Sequence, residues 1–197
     1  MSSLTGETRH RRADAVANRE RILEAAEVVF SAEGVAVPID RVAERAGVGV
    51  GTVYRHFPTK EDLFEAIVMT RLEGLLVQAR AAVNSADADQ AFFSFLHEFA
   101  SVALAKHDLY DAMGAAGLDL KARCGAKLEE MKDALGLLLS RAQSTGAVRT
   151  DISVEEVLGL VVGSCQAAAL AGMQAPGCMH MVDVVCDGIR TPAREAR

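Results

Sequence analysis

The chain has 197 residues, about half of them apolar and 24% charged, with four prolines and no tryptophan. That composition excludes a disordered tail protein and a collagenous one, and it supplies apolar residues enough for a sizeable core. The 27 acidic groups outnumber the 21 basic ones, too acidic for a general nucleic-acid coat protein; residues 1–60 carry nine basic and eight acidic groups, so any nucleic-acid contact belongs to the N-terminal third.

Ala, Leu, Glu and Arg are abundant, Thr and Tyr are scarce, and no alternating strand pattern of useful length appears. An all-α fold is predicted. Met1 to Arg21 has no apolar core of the kind a signal peptide needs. Cys124, Cys165, Cys178 and Cys186 form no CxxC pair, so reduced, buried thiols and a cytoplasmic location are expected.

Residues 1–17, with Arg9, Arg11 and Arg12, read as a flexible polar arm, either a plain tail or a basic arm that meets a phosphate backbone. From Asn18 to Ser31 apolar residues recur every three or four positions, with Asn18 as cap and Gly34 as stop. Pro38 opens a short helix through Ile39, Val42, Ala43 and Ala46. Gly47-Val48-Gly49 turns the chain, and a third short helix runs from Val50 to Phe57. Thr59 and Asp62 have capping-box spacing for a long helix reaching Val83. Further helices are predicted at about Gln90–Lys106, Asp108–Gly117, Leu120–Gln143, from the Ser153/Glu156 capping box to Met173, and at Cys178–Arg190. The uncharged run Val157–Met173 contains a Gly159/Gly163 GxxxG spacing. It is shorter than the roughly 20 residues a membrane span needs, and a buried helix is the better reading.

The second and third helices have the proportions of a helix-turn-helix, with Gly47 supplying the positive φ of the turn. Val53 and Phe57 would face inward, leaving Gly51, Thr52, Arg55 and His56 outward with Tyr54 at the flank. This set suits a major groove: Gly51 admits close approach, Thr52 offers a hydroxyl and a methyl, and Arg55 can chelate a guanine. Tyr54, His56 and Lys60 can hold phosphates.

The run Ile22-Leu23-Glu24-Ala25-Ala26, then Phe30 and Gly34, Val42-Ala43-Glu44-Arg45-Ala46-Gly47-Val48, and Gly51-Thr52-Val53-Tyr54-Arg55-His56-Phe57-Pro58-Thr59-Lys60-Glu61-Asp62-Leu63-Phe64 closely resembles the tetracycline-repressor (TetR/AcrR) family. Val48-Gly49-Val50-Gly51 and Arg55-His56-Phe57-Pro58 give it an actinobacterial flavour. The resemblance implies an all-helical homodimer of about nine helices per subunit. Residues 18–66 would form the DNA-binding head and residues 67–197 a ligand-binding and dimerisation domain. It implies binding to a palindromic double-stranded operator and to a small inducer; the aromatic and Met residues beyond residue 67 suit an apolar or aromatic one, and a ligand-responsive regulator, a repressor released by that inducer, is expected. Carried over by position, the DNA-contacting residues are Val50, Gly51, Thr52, Tyr54, Arg55, His56 and Lys60, with Ile39 and Arg41 near the backbone. Two residues depart from the family pattern: Pro38 stands where a Ser or Thr often opens the second helix, and Gly49 where a Ser usually caps the third.

Beyond residue 67 the resemblance assigns no individual residue. Phe92, Phe93, Phe95 and Phe99 are either ordinary core or in part the wall of a cavity shared with Met113, Leu118, Leu128, Met131 and Leu135. His97, Glu98 and His107 are the polar candidates there. Leu158, Val161, Val162, Cys165 and Ala169 mark one face of the penultimate helix, and Met181, Val184, Val185 and Ile189 one face of the last. Pairing of these faces between subunits would make a four-helix bundle. Cys178, His180 and Cys186 fit no standard metal spacing, so packing is expected there, with no metal or cofactor. The chain shows no Ser/His/Asp order in context, no ExxH pair of the di-iron type and no glycine-rich phosphate loop, so an enzyme is not expected.

Overall fold

The computed structural model describes residues 4–104, 120–173 and 175–191. Its helices are α1 (Leu4–Glu33), α2 (Ile39–Ala46), α3 (Val50–His56), α4 (Lys60–Val83), α5 (Ala88–Leu104), α6 (Leu120–Ser144), α7 (Val154–Leu170) and α8 (Ala175–Ile189). Among the described residues there is no strand, only an isolated antiparallel bridge between Val148 and Arg190. The fold is all-helical, as predicted. The helix expected at Asp108–Gly117 lies outside the described residues. The described residues divide into two compact units, residues 4–68 with 120, and residues 69–104 with 121–173 and 175–191, and the division falls inside α4.

In the first unit, α1 begins at Leu4, so residues 4–17, expected as an arm, continue the helix. No Gly or Pro interrupts the chain between Gly6 and Gly34, and the Ala-, Arg- and Glu-rich run keeps helix propagation favourable. Asn18 is therefore an interior helical residue that accepts a hydrogen bond from Arg21, not a cap. Gly34 ends α1 at φ 81°, its N–H donating to the Phe30 carbonyl. Ile22, Ala26, Val29 and Phe30 form the buried stripe of α1, which packs on α2 and α3. Thr59 starts α4 through a reciprocal pair: the Thr59 N–H donates to Asp62 Oδ2 at 3.0 Å, and the Asp62 N–H to Thr59 Oγ1 at 3.1 Å. Phe30 and Phe64 meet edge-to-face at 5.0 Å.

In the second unit, α7 and α8 pack against each other and both pack on α5. The core gathers Leu76, Phe92, Leu96, Leu135, Leu138, Val161 and Val182, all essentially without solvent exposure. Each such side chain contributes roughly 1.5–3 kcal/mol by leaving water. α5 starts two residues earlier than the predicted Gln90, because Asp87 accepts from the Gln90 N–H and caps the first turn. The capping box at Ser153 and Glu156 opens α7 as expected.

Candidate nucleic-acid interface

The candidate reading element is α3, presented by α2 through a glycine turn. α2 buries Ile39, Val42, Ala43 and Ala46, which fixes it on the scaffold. Gly47 then adopts φ 65°, and its N–H together with that of Val48 closes the last carbonyls of α2 at Ala43 and Glu44. A side chain would meet no atom at Gly47, so the glycine is required by conformation and not by space. Gly49 enters α3 in extended conformation with no side-chain cap.

On α3, Val53 and Phe57 are buried, as the spacing predicts. The guanidinium of Arg19 lies 5.1 Å over the Phe57 ring and tightens this anchor from α1. The opposite edge stays out: Gly51 and Arg55 are exposed, Tyr54 is 47% exposed, and Val50, Thr52 and His56 are half-buried. An added Cβ at Gly51 meets nothing within 4 Å, and its φ is ordinary. The fold itself therefore does not demand glycine there. Arg55 makes no hydrogen bond or ion pair among the described residues, so its guanidinium is available to a partner.

Other residues assigned to DNA stand differently. Ile39 is only 7% exposed, its side chain turned into the core, so only its backbone at the start of α2 faces outward. Arg41 is exposed but held between Glu33 at 3.3 Å and Glu44 at 2.6 Å, its charge already balanced. Lys60 is half-buried, and its Nζ donates to the Val37 carbonyl at 2.7 Å. Arg45, which the sequence reading passed over, is exposed and without a partner among the described residues, so it joins Arg55 as an unengaged cation of the head.

In the second unit, Phe95 and Met131 belong to the core at 3% and 2% exposure, while Phe99 and Leu128 are half-buried. Met113, Leu118 and His107 lie outside the described residues. Phe95 also lines a surface cleft of about 350 Å³ with Gln78, Gln90, Ser94 and Glu98. His97 is engaged, its two ring nitrogens facing the Phe93 carbonyl at 2.8 Å and Asp183 Oδ1 at 2.7 Å.

The last two helices turn three residues of the expected interface set inward. Val161, Cys165 and Ile189 are inside this unit's own core. Leu158, Val162, Ala169, Met181 and Val185 are half-buried, and Val184 alone of the expected set is exposed. The outer face of α7 is instead Gly159, Leu160, Gly163, Ala167 and Leu170. α7 is apolar nearly all round, so its periodicity carries no information on which side faces the core. None of the four cysteines is in a disulfide, and all four are buried. Burial, helped by the neighbouring Cys178 sulfur, pushes the Cys165 thiol up to about 12, and burial pushes Cys186 up to about 11. No group of three or more His, Cys, Asp or Glu residues able to hold a metal occurs among the described residues. None of the described helices is long and apolar enough to cross a membrane.

Comparison with known proteins falls on both units. Residues 22–67 match the family model described as bacterial regulatory proteins, tetR family, and residues 87–191 match one described as transcriptional regulator SbtR-like, C-terminal domain. The chain is 38% identical to a TetR transcription regulatory protein from Mycobacterium vanbaalenii of known structure. That likeness covers 91% of this chain and 98% of that one, at a TM-score of 0.71. A TetR transcriptional regulator from Streptomyces coelicolor is 30% identical over 89% of this chain and 99% of its own, at a TM-score of 0.70. An HTH-type transcriptional regulator of Staphylococcus aureus is 41% identical over 68 residues, 34% of this chain and 37% of the relative. The match thus spans little more than a third of that curated relative's length.

Proposed function

The chain belongs to the TetR family of bacterial regulatory proteins, a DNA-binding transcriptional regulator, and from that premise we propose that it is a ligand-responsive repressor acting as a homodimer on a palindromic operator. The observation that carries this reading is the outer edge of α3. Gly51 leaves open space the fold does not need, and Arg55 projects beside it with no partner of its own. Arg55 reads a guanine through O6 and N7, Thr52 and Tyr54 fix the register, and Arg45 adds a phosphate contact at the end of α2.

A second copy of this chain docks on the outer face of α7, where Leu160 is 46% and Leu170 86% exposed beside the small residues Gly163 and Ala167. Close approach over small residues suits helix pairing, and dimerisation sets the two heads about 34–36 Å apart, one turn of duplex. The inducer is a small apolar or aromatic molecule held near Phe99 and Leu128, whose rings and methyls stay half-exposed on α5 and α6. Its binding competes with operator binding through a coupling of about 1–3 kcal/mol. The protein works in the cytoplasm, a location its four buried cysteines outside any disulfide suit.

The test is selection of duplexes from a random-sequence pool by the full-length protein. Recovery of a two-fold symmetric site, bound with a steep loss of affinity as salt rises, is the expected result. Recovery of no common sequence would overturn the reading.

A further inference from the structure

We propose that Arg19 of α1 is a phosphate-binding residue of the reading head, held over the Phe57 ring and offered to the duplex backbone beside α3. The inference rests on the DNA-reading function proposed above and adds to it a contact from α1.

Five arginines lie among residues 14–67, and their neighbours separate them. Arg21 donates to Asn18 Oδ1 at 2.5 Å, and Arg41 is held between Glu33 and Glu44. Arg45 and Arg55 already have their roles in the proposed reading. Arg19 is exposed and makes no hydrogen bond or ion pair among the described residues; the neighbour it has is a ring, Phe57, 5.1 Å from its guanidinium carbon. Three and four positions away along α1 stand Ala15, Val16, Ile22 and Leu23. No carboxylate of its own helix therefore shares its face, and the charge is left unbalanced locally.

The ring gives this exposed cation a fixed place. Phe57 caps α3, is only 3% exposed and donates its N–H to the Val53 carbonyl, so it belongs to the scaffold of the head. A ring attracts the cation through its quadrupole but offers no lone pair, so the five N–H donors of the guanidinium stay available. Those donors match phosphate oxygens in pairs. Part of the ordering that a long side chain undergoes on capturing an anion is present before the anion arrives.

Phe57 ends α3, and the last turn of α3 carries Arg55 and His56. Arg19 thus stands at the same end of the reading helix as Arg55, but on a separate helix. A cation there flanks the base-reading edge. It fixes the orientation of the head and adds affinity for every duplex, without reading sequence.

The experiment uses the full-length protein with Arg19→Gln, which keeps a planar group and removes the charge, and Arg19→Lys, which keeps the charge. The probes are a duplex of about 30 base pairs selected by the wild type and an unselected duplex of equal length, each titrated between about 50 and 200 mM salt. With one Arg19 in each of two heads, Arg19→Gln should flatten the slope of log affinity against log salt by about 1.8. Its deficit against the wild type then shrinks about tenfold across that range. Both duplexes weaken alike, the selected sequence is unchanged, and the melting temperature moves by no more than about 4 °C. Arg19→Lys restores the slope. An unchanged slope with Arg19→Gln overturns the proposal. A loss confined to the selected duplex, with a larger fall in melting temperature, overturns it too and makes Arg19 a support of Phe57 alone.

Should the wild type select no common sequence, the repressor reading fails, while the slope on the unselected duplex still decides Arg19. Should Arg19→Gln not fold, the Arg19 Nε–H resonance of the wild type decides instead. It shifts on adding the selected duplex if a phosphate takes the guanidinium, and an unmoved signal overturns the assignment.

Discussion

Arg141 of α6 donates from Nη2 to the Ser85 carbonyl at 2.7 Å, and its Nη1 donates to the carbonyl of Val83, the last residue of α4. The last carbonyls of a helix have no partner within it, so one guanidinium closes the end of α4 and the turn into α5 together. These bonds are partly buried and charge-assisted, a class that stabilises by about 1.5–3 kcal/mol. Arg141→Met removes the donor and leaves those carbonyls facing an apolar stem. Urea denaturation should show about 2–3 kcal/mol lost, with Arg141→Lys losing less. A loss under about 0.5 kcal/mol for Arg141→Met would mean that water replaces the guanidinium without penalty.

Gly51 separates fold from function. Its backbone is ordinary and an added Cβ touches nothing. Gly51→Ala should therefore keep or raise stability, by up to about 1 kcal/mol from helix propensity alone. Operator affinity should still fall at least tenfold, because the methyl stands where the duplex backbone or base edges must approach. Thermal melts and gel shifts on the same sample check both halves; unaltered affinity would remove Gly51 from the interface.

Arg55→Ala should relax choice at one base position per half-site, at about 1–3 kcal/mol of discrimination. Arg45→Ala should weaken all duplexes alike and flatten the salt dependence. Selection from a random pool with each variant reads this directly. An unchanged consensus with Arg55→Ala would move base reading elsewhere on the head.

What could be read from the sequence was whatever local chemistry decides. The Gly47 turn needs a positive φ, the Thr59/Asp62 and Ser153/Glu156 boxes are fixed by a three-residue spacing, and Val53 and Phe57 are one turn apart. What escaped depends on tertiary neighbours. Whether Arg41 or Arg45 is spare rests on Glu33 and Glu44 reaching the former, and no spacing rule ranks the two. Lys60 looked like a surface cation until Phe30, Phe64 and Val37 closed around it. α7 could not be oriented because an apolar helix with small residues has two plausible inner faces, and Val161 and Cys165 took the inner side.

The outer face of α7 gives the test of assembly. Leu160 is exposed next to Gly159 and Gly163, so a charge there disturbs little inside the subunit. Leu160→Glu should leave the helical signal and the melting of the subunit core largely intact while sedimentation gives the mass of one chain instead of two. It should also abolish tight operator binding, since two heads on separate chains no longer share one free energy of association. A dimer that survives Leu160→Glu would place the interface elsewhere.

His97 gives the fold a pH dependence whose sign is fixed by its partners. Both ring nitrogens face acceptors, the Phe93 carbonyl and the Asp183 carboxylate, so only the doubly protonated imidazolium donates to both. The Asp183 hydrogen bond is the largest influence and raises the pKa, with the Phe93 carbonyl and the Asp183 charge adding to it. Burial and the Arg190 guanidinium pull the other way, and the net direction is up. A group whose folded pKa is raised holds its proton longer in the native state than in the unfolded chain. Its stabilisation is complete below the unfolded value of about 6.5 and is lost as pH rises through the folded one. The pair is open to solvent, with side chains 38% and 54% exposed, so the effect is a few tenths to about 1 kcal/mol. Comparing wild type with Asp183→Asn in urea at about pH 5.5 and about pH 8.5 isolates it, because other titrations cancel. The wild type should be the more stable at the lower pH and the two should converge at the higher. A gap that widens with pH would show that the imidazole is neutral in the folded protein and that the bond to Asp183 carries no proton linkage.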